Sequence, residues 1–172
     1  IGFNKSKKIL IDKSNAVILH NEETKELNLH NTQFVIESRI PEKNNTNNRE
    51  GNKNNTNNIT FITSFNPDEP IDLIIAVSKC LGSEYKINLT GNYKKVDQKI
   101  FHELPPNITL TGFLSIDDYY DLINNSLVLV VLTKRDYTLL YGGREAIAYN
   151  VPAVLSNNRC NRSYFNKGIV FV

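Results

Sequence analysis

Met and Trp are absent from this 172-residue sequence, and Cys occurs only twice. A chain of this length without Met is expected to be an internal piece of a longer protein, and the start at Ile1 and the stop on Phe171-Val172, inside a strand-like segment, are expected to be cuts. Cys80 and Cys160 are too few for a disulfide scaffold and stand in neither metal-binding nor redox spacing, so reduced thiols in a cytoplasmic protein are expected. No apolar run approaches the roughly 18–20 residues that span a bilayer, and the first residues lack the charged and apolar regions of a signal peptide. Charge of one sign is lacking as well. With 20 basic against 18 acidic residues the net charge is +2, which leaves no strong field for nucleic acid. The pI near 8.5 still permits modest affinity for phosphorylated ligands or anionic lipid heads. With 40% hydrophobic residues the chain can bury a core.

What the sequence has in excess is Asn, 25 residues, densest between Lys43 and Asn58 in KNNTNNREGNKNNTNN, where NNTNN occurs twice without an aliphatic or aromatic side chain. Having nothing to bury, this tract cannot offset its ordering entropy and reads as a flexible linker or insert. N-x-S/T triplets such as those at Asn88, Asn107 and Asn161 follow from the Asn content and are not taken as glycosylation sites. The tract separates two blocks. Residues 1–42 read as strand, helix, strand: a short buried strand over 16–19, Asn21 capping Glu22 to Leu27, and a strand at Phe34-Val35-Ile36. This block is too small to be a domain alone.

Residues 59–172 alternate strand and helix. Strands are expected at 59–64, 85–90, 108–112, 127–133, 153–156 and 168–172. Helices are expected from Asp68-Glu69-Pro70 to Leu81, with Ile71, Ile74, Ile75 and Ser78 on the inner stripe and Gly82 as stop; over 96–103; from Ser115 through Asn124; and from Gly143 to Tyr149, stopped by Asn150. The LVLVVLT run ending at Thr133 is apolar without alternation, as in a central parallel strand covered on both faces. The fold class is therefore α/β, a doubly wound parallel sheet with ligand-binding loops after Ser64, Thr90, Gly112 and Thr133.

The segment from Thr133 to Ser156 is the richest in chemistry. Gly142 and Gly143 let backbone approach a ligand closely, and the amides of a helix start form an anion site suited to a diphosphate. Glu145, expected in the first turn, either accepts hydrogen bonds from vicinal sugar hydroxyls or merely complements the helix dipole. Lys134-Arg135 either neutralise phosphate charge or form a solvated turn.

Glu145-Ala-Ile-Ala-Tyr-Asn-Val-Pro-Ala-Val154 resembles the second half of the E-x7-E signature in GT-B glycosyltransferases of the retaining family 4 (group 1). The first half departs from it: Tyr137 stands where the first Glu belongs, with Asp136 beside it as a candidate replacement. Other landmarks of the resemblance are 59–70, which lacks the usual basic residues; Leu89-Thr90-Gly91-Asn92; and Asn107 to Ser115 followed by Asp118-Tyr119. The resemblance implies that residues 59–172 form the C-terminal nucleotide-sugar-binding domain, that 1–42 end the acceptor-side domain, and that 43–58 join them. It implies that Glu145 holds ribose and that Thr138, Leu139, Leu140, Gly142 and Gly143 line the diphosphate and sugar. Positive charge is expected from Lys134, Arg135 or Arg144, with further donor contacts at Asn66, Gly91, Asn92, Phe113 and Leu114. Phe113 by itself reads more readily as core.

The activity implied is transfer of a sugar from a nucleotide-diphosphate sugar to the hydroxyl of a glycan or lipid-linked acceptor, with retention of configuration and with no cofactor, no metal and no nucleic acid partner. Catalytic residues are expected mostly outside the chain, and peripheral membrane contact belongs to the full-length protein. The alternatives are a sugar-nucleotide epimerase, an inverting GT-B transferase, or a non-catalytic GT-B-like binding protein.

Overall fold

The computed structural model describes residues 5–42, 57–102 and 104–172. The Asn-rich tract at 43–56 lies outside the described residues. The chain divides into two compact units between Arg39 and Ile40.

In the first unit, α1 (Lys5–Lys13) precedes β1 (Val17–Leu19) and β2 (Gln33–Val35), which pair in parallel with Ile18 opposite Phe34. The Asn21 side chain caps a 3₁₀ turn over Glu22–Leu27 by accepting from the Thr24 amide at 3.0 Å. Two expectations are corrected here. α1 was not foreseen, because its apolar residues clump at Ile9, Leu10 and Ile11 and bury nothing within the helix. The first strand is not buried throughout: Leu19 is, but Ile18 is 60% exposed, the alternation of a one-faced sheet.

The second unit is a six-stranded, fully parallel sheet in the order β5-β4-β3-β6-β7-β8, with β3 (Asn58–Phe61), β4 (Lys86–Thr90), β5 (Ile108–Gly112), β6 (Val128–Val131), β7 (Ala153–Leu155) and β8 (Ile169–Phe171). The chain steps outward from β3 to β5, returns to β6 on the other side of β3, and steps outward again, so the topological switch lies between β3 and β6. Alternation along β6 sends Leu129 and Val131 into one core and Val128 and Val130 into the other. The first core includes Ile123, Ala146, Tyr149, Leu155 and Phe165. The second joins Ile59, Phe61, Ile87 and Leu89 of the sheet to Ile71, Ile74 and Ile75 of α2 (Ile71–Cys80). Burying each such aliphatic side chain contributes about 1.5–3 kcal/mol, which explains why this apolar pattern predicts the sheet.

α3 (Ile116–Asn124) begins at the expected Ser115–Asp118 pair, which forms the N-cap half of a capping box: Ser115 Oγ accepts from the Asp118 amide at 3.1 Å and donates to its carboxylate at 2.7 Å. Several assignments differ from expectation, among them strands β3 and β6, which end at Phe61 and Val131 where 64 and 133 were expected. The segment after β4 forms two 3₁₀ turns, Tyr93–Lys95 and Gln98–Phe101, each started by an Asx cap from Asn92 or Asp97 that breaks a continuous helix. α2 ends on an extended Leu81, without a left-handed glycine at Gly82. A further helix, α5 (Arg159–Tyr164), follows β7 and is capped by Asn158.

Candidate functional site

The loops at the carboxyl ends of β3, β4 and β6 converge, and their side chains tie them together. After β3, Phe65 takes a left-handed backbone (φ 56°) although it is not glycine, and its ring is buried edge-on against Phe101 at 5.8 Å. Glu69 holds this turn: its carboxylate accepts from the Ser64 amide at 3.0 Å, the Phe65 amide at 2.8 Å and Ser64 Oγ at 2.6 Å. These amides therefore already serve an anion of the chain itself. Asn66 donates to Ser64 Oγ at 2.8 Å and accepts from Lys95 Nζ at 3.2 Å.

Lys95 was not among the sequence-predicted residues, since it stands thirty-one residues from Ser64 and only the folded loop brings them together. With Asn66 and Lys134 it lines a cleft of about 510 Å³, whose walls also carry Phe65, Val96 and Ile100. Neither Glu145 nor the paired glycines line that cleft. Gly91 (φ 92°) lies so close to the β3 loop that an added Cβ would fall 2.2 Å from the Thr63 carbonyl oxygen. Its small size thus serves the junction of the two loops, while Asn92 caps the next turn.

The loop after β6 is clasped on both sides. Asp68 accepts from Thr133 Oγ1 at 3.0 Å, pairs with Arg135 at 3.2 Å and receives the Lys134 amide on its backbone carbonyl at 2.6 Å. On the other side, the buried Asn158 donates to the carbonyls of Arg135 (3.1 Å) and Thr138 (3.0 Å), and the fully buried Asn161 accepts from the Leu140 amide at 3.1 Å. Asp136 accepts from the Arg159 amide at 3.5 Å, and the Arg159 guanidinium lies 5.9 Å from the Tyr137 ring centre. The bracing residues Asp68, Asn158 and Asn161 were missed. The N-cap pattern Asn158-Arg-Cys-Asn161 was the available signal for two of them.

α4 spans Tyr141–Tyr149 with Leu140 as N-cap, so two expectations change. The helix starts two residues before Gly143, so that Gly142 is helical as well, and Glu145 is in its second turn, beyond the reach of simple dipole complementation. The glycines are sites of helix-on-sheet contact: a Cβ on Gly142 would meet Val131 at 2.7 Å, and one on Gly143 would meet Phe165 at 2.5 Å and Leu155 at 2.8 Å. Arg144 is 2% exposed, and its guanidinium lies 4.5 Å over the Tyr164 ring, toward α5. Phe113 is corrected from core to surface, at 82% exposure, because the strand ends at Gly112 (φ 69°) and turns it outward. Leu114 is half-buried and Leu139 likewise.

Glu145 is only 4% exposed. The Tyr119 hydroxyl of α3 donates to its Oε2 at 2.9 Å, and this is its one hydrogen bond among the described residues, leaving Oε1 unbonded. Burial pushes the Glu145 carboxyl above its ordinary value, opposed by the Tyr119 hydrogen bond. Burial, followed by the charge of Glu145, pushes the Tyr119 phenol well above its own, so Tyr119 is a permanent donor. Oε1 is not among the buried polar atoms sealed from solvent without a partner, so the hydroxyl of a ligand can reach it and supply its hydrogen bond. Among the described residues no cluster of three or more His, Cys, Asp or Glu side chains forms a metal-binding group, and no helix is long and apolar enough to cross a membrane.

No family model and no curated protein matches the chain. Solved structures do. The crystal structure of TarM superposes on 99% of the chain with a TM-score of 0.71 at 20% identity. Anabaena HepE, solved with UDP and glucose and again with UDP-glucose, superposes on 98% with a TM-score of 0.73 at 13% identity. A variant of S. aureus TarM in complex with fondaparinux, α-GlcNAc-glycerol and UDP superposes on 95% at 0.67 and 19% identity. The chain spans 36% of the first TarM structure and 54% of HepE. The parallel sheet with flanking helices is thus the α/β fold of these GT-B glycosyltransferase structures.

Proposed function

We propose that the chain is the nucleotide-sugar-binding half of a glycosyltransferase that moves a sugar from a nucleotide-diphosphate sugar to the hydroxyl of a glycan or lipid-linked acceptor, with retention. The observation that carries this reading is Glu145: a buried carboxylate, one oxygen held by Tyr119 and the other unbonded, on the helix that follows the β6 loop. Its open oxygen suits a ribose hydroxyl. The amides of Tyr141 and Gly142, the first two of α4, have no carbonyl one turn back within the helix and suit a diphosphate. Asn158 and Asn161 hold the preceding loop in place before any ligand arrives, which lowers the ordering cost of binding. Catalysis in this scheme rests on positioning the donor and on stabilising charge at the departing diphosphate. The donor is a substrate, and the scheme calls on no cofactor or metal.

The test is a screen of UDP-, GDP- and dTDP-sugars by ligand-observed NMR with the full-length protein and its Glu145→Gln variant. The expected outcome is binding of one donor class, weakened at least a few-fold by the substitution. Unchanged affinity in the variant removes Glu145 from the site. One observation favours a second reading, donor binding without transfer: Glu69 already occupies the amides of the β3 loop. Donor binding with no product from any acceptor would select it.

A further inference from the structure

Two adjacent tyrosines of α3 meet α4 in different ways. Tyr119 donates to Glu145 Oε2 at 2.9 Å. Tyr120 stacks on Tyr149, ring centres 5.2 Å apart and planes 15° from parallel, while the Tyr119 and Tyr120 rings lie 5.5 Å apart. The stacking fixes the spacing of the two helices, and the phenol fixes the rotation of the carboxylate. Among the described residues no other side chain hydrogen-bonds this carboxylate: β6 and β7, which also pack on α4, present only Val, Leu and Ala, and α5 meets α4 through Tyr164, whose ring lies under the Arg144 guanidinium. The titratable neighbours of Glu145 are Tyr119 and Tyr120 from α3, with Tyr141 and Tyr149 on its own helix joined to it through Tyr120. Neither an ion-pair partner nor a second donor reaches Glu145 among the described residues.

We infer that Tyr119 is a positioning residue for nucleotide-sugar binding: its hydroxyl turns the Glu145 carboxylate so that Oε1 faces the donor's ribose, and keeps that carboxylate ionised in an apolar site. This rests on the ribose role proposed for Glu145. Burial drives Glu145 toward its neutral form, and a neutral carboxyl offers a weaker acceptor to a hydroxyl. The Tyr119 phenol holds its proton, so it bonds the charged form and opposes that drift. A phenylalanine keeps the ring and its packing while deleting this one bond.

The experiment follows UDP-glucose binding to the full-length protein across the acid range by calorimetry, and titrates the Glu145 carboxyl by NMR in the ligand-free protein. GDP- or dTDP-sugars replace UDP-glucose if the donor screen selects them. Tyr119→Phe is expected to weaken binding several-fold near neutral pH. It should also move both the acid limb of binding and the Glu145 titration to higher pH by about one unit, a tenfold change in the protonation equilibrium. Tyr120→Phe, which deletes a hydroxyl that does not bond Glu145, should leave both in place. If Tyr119→Phe lowers the melting temperature but moves neither titration, Tyr119 is structural and the inference fails while the role of Glu145 stands. If Glu145→Gln binds donor as tightly as the unsubstituted protein, the ribose role fails and the inference falls with it.

Discussion

The carboxylate of Glu69 accepts a hydrogen bond from the amide of Phe65 at 2.8 Å and holds that residue at a positive φ that a bulky side chain rarely takes. The carboxylate bonds the Ser64 amide and hydroxyl as well, so one side chain satisfies the whole turn. Glu69→Ala should leave both amides without this acceptor and the strained Phe65 backbone uncompensated, destabilising the protein by about 2–4 kcal/mol. Glu69→Gln, which keeps an acceptor oxygen, should lose less than half of that. Urea unfolding of the two variants checks the order. Equal losses would show that charge, not the acceptor geometry, holds the turn.

The Asp68–Arg135 pair joins the β3 and β6 loops at 3.2 Å, but the Arg135 side chain is 65% exposed. A double-mutant cycle of Asp68→Asn with Arg135→Ala should therefore give a coupling below about 1 kcal/mol that shrinks with salt. Asp68→Ala should cost more than Arg135→Ala, because it also strips the acceptor from the buried Thr133 hydroxyl. A salt-independent coupling would contradict the exposure of the pair.

The raised Glu145 carboxyl makes a signed prediction for stability. A group that holds its proton more tightly folded than unfolded contributes most below its unfolded pKa, and that contribution is lost as pH rises through the folded value. Glu145→Gln, which never ionises but can still accept from Tyr119, should therefore melt higher than the unsubstituted protein near neutral pH. The difference should vanish below the ordinary carboxylate range. Each 1 kcal/mol of the gain corresponds to about 2–4 °C in a domain of this size. A variant that melts lower at neutral pH would mean that the ionised carboxylate stabilises the fold. Gain of stability with loss of donor binding is the pattern of a functional site.

Much of this arrangement was legible in the sequence, for reasons that differ by element. The sheet was legible because Val128 to Val131 is continuously apolar and Ile87 and Leu89 alternate with a polar residue, and α3 because Ser115 and Asp118 cap it locally. Glu145 was legible from the order of residues around it. What escaped depends on contacts far apart in the chain: Lys95 on Asn66, Asp68 on Thr133 and Tyr119 on Glu145 are separated by 29, 65 and 26 positions. α5 escaped because Asn157, Asn158 and Asn161 read as more of the Asn excess, although two of them cap and brace. The glycines escaped because a small residue required by a ligand and one required by a packed helix leave the same letters in the sequence.

That last ambiguity has a direct test. If Gly143 is needed only for a ligand's approach, Gly143→Ala should leave the ligand-free protein as stable as before, since Ala is the better helix former by about 1 kcal/mol. The geometry says otherwise. The new methyl would sit 2.5 Å from Phe165 Cζ and 2.8 Å from Leu155 Cδ1, and both are core residues that are themselves at most 2% exposed. Overpacking of this kind costs about 1–3 kcal/mol, which outweighs the gain in helix propensity. Gly143→Ala should therefore lower the unfolding midpoint of the ligand-free protein. Adding Phe165→Leu removes the nearer contact, so the double variant should lose less than the two single losses combined, a coupling expected of residues that share one space. Strict additivity would place the added methyl elsewhere and return Gly143 to the ligand.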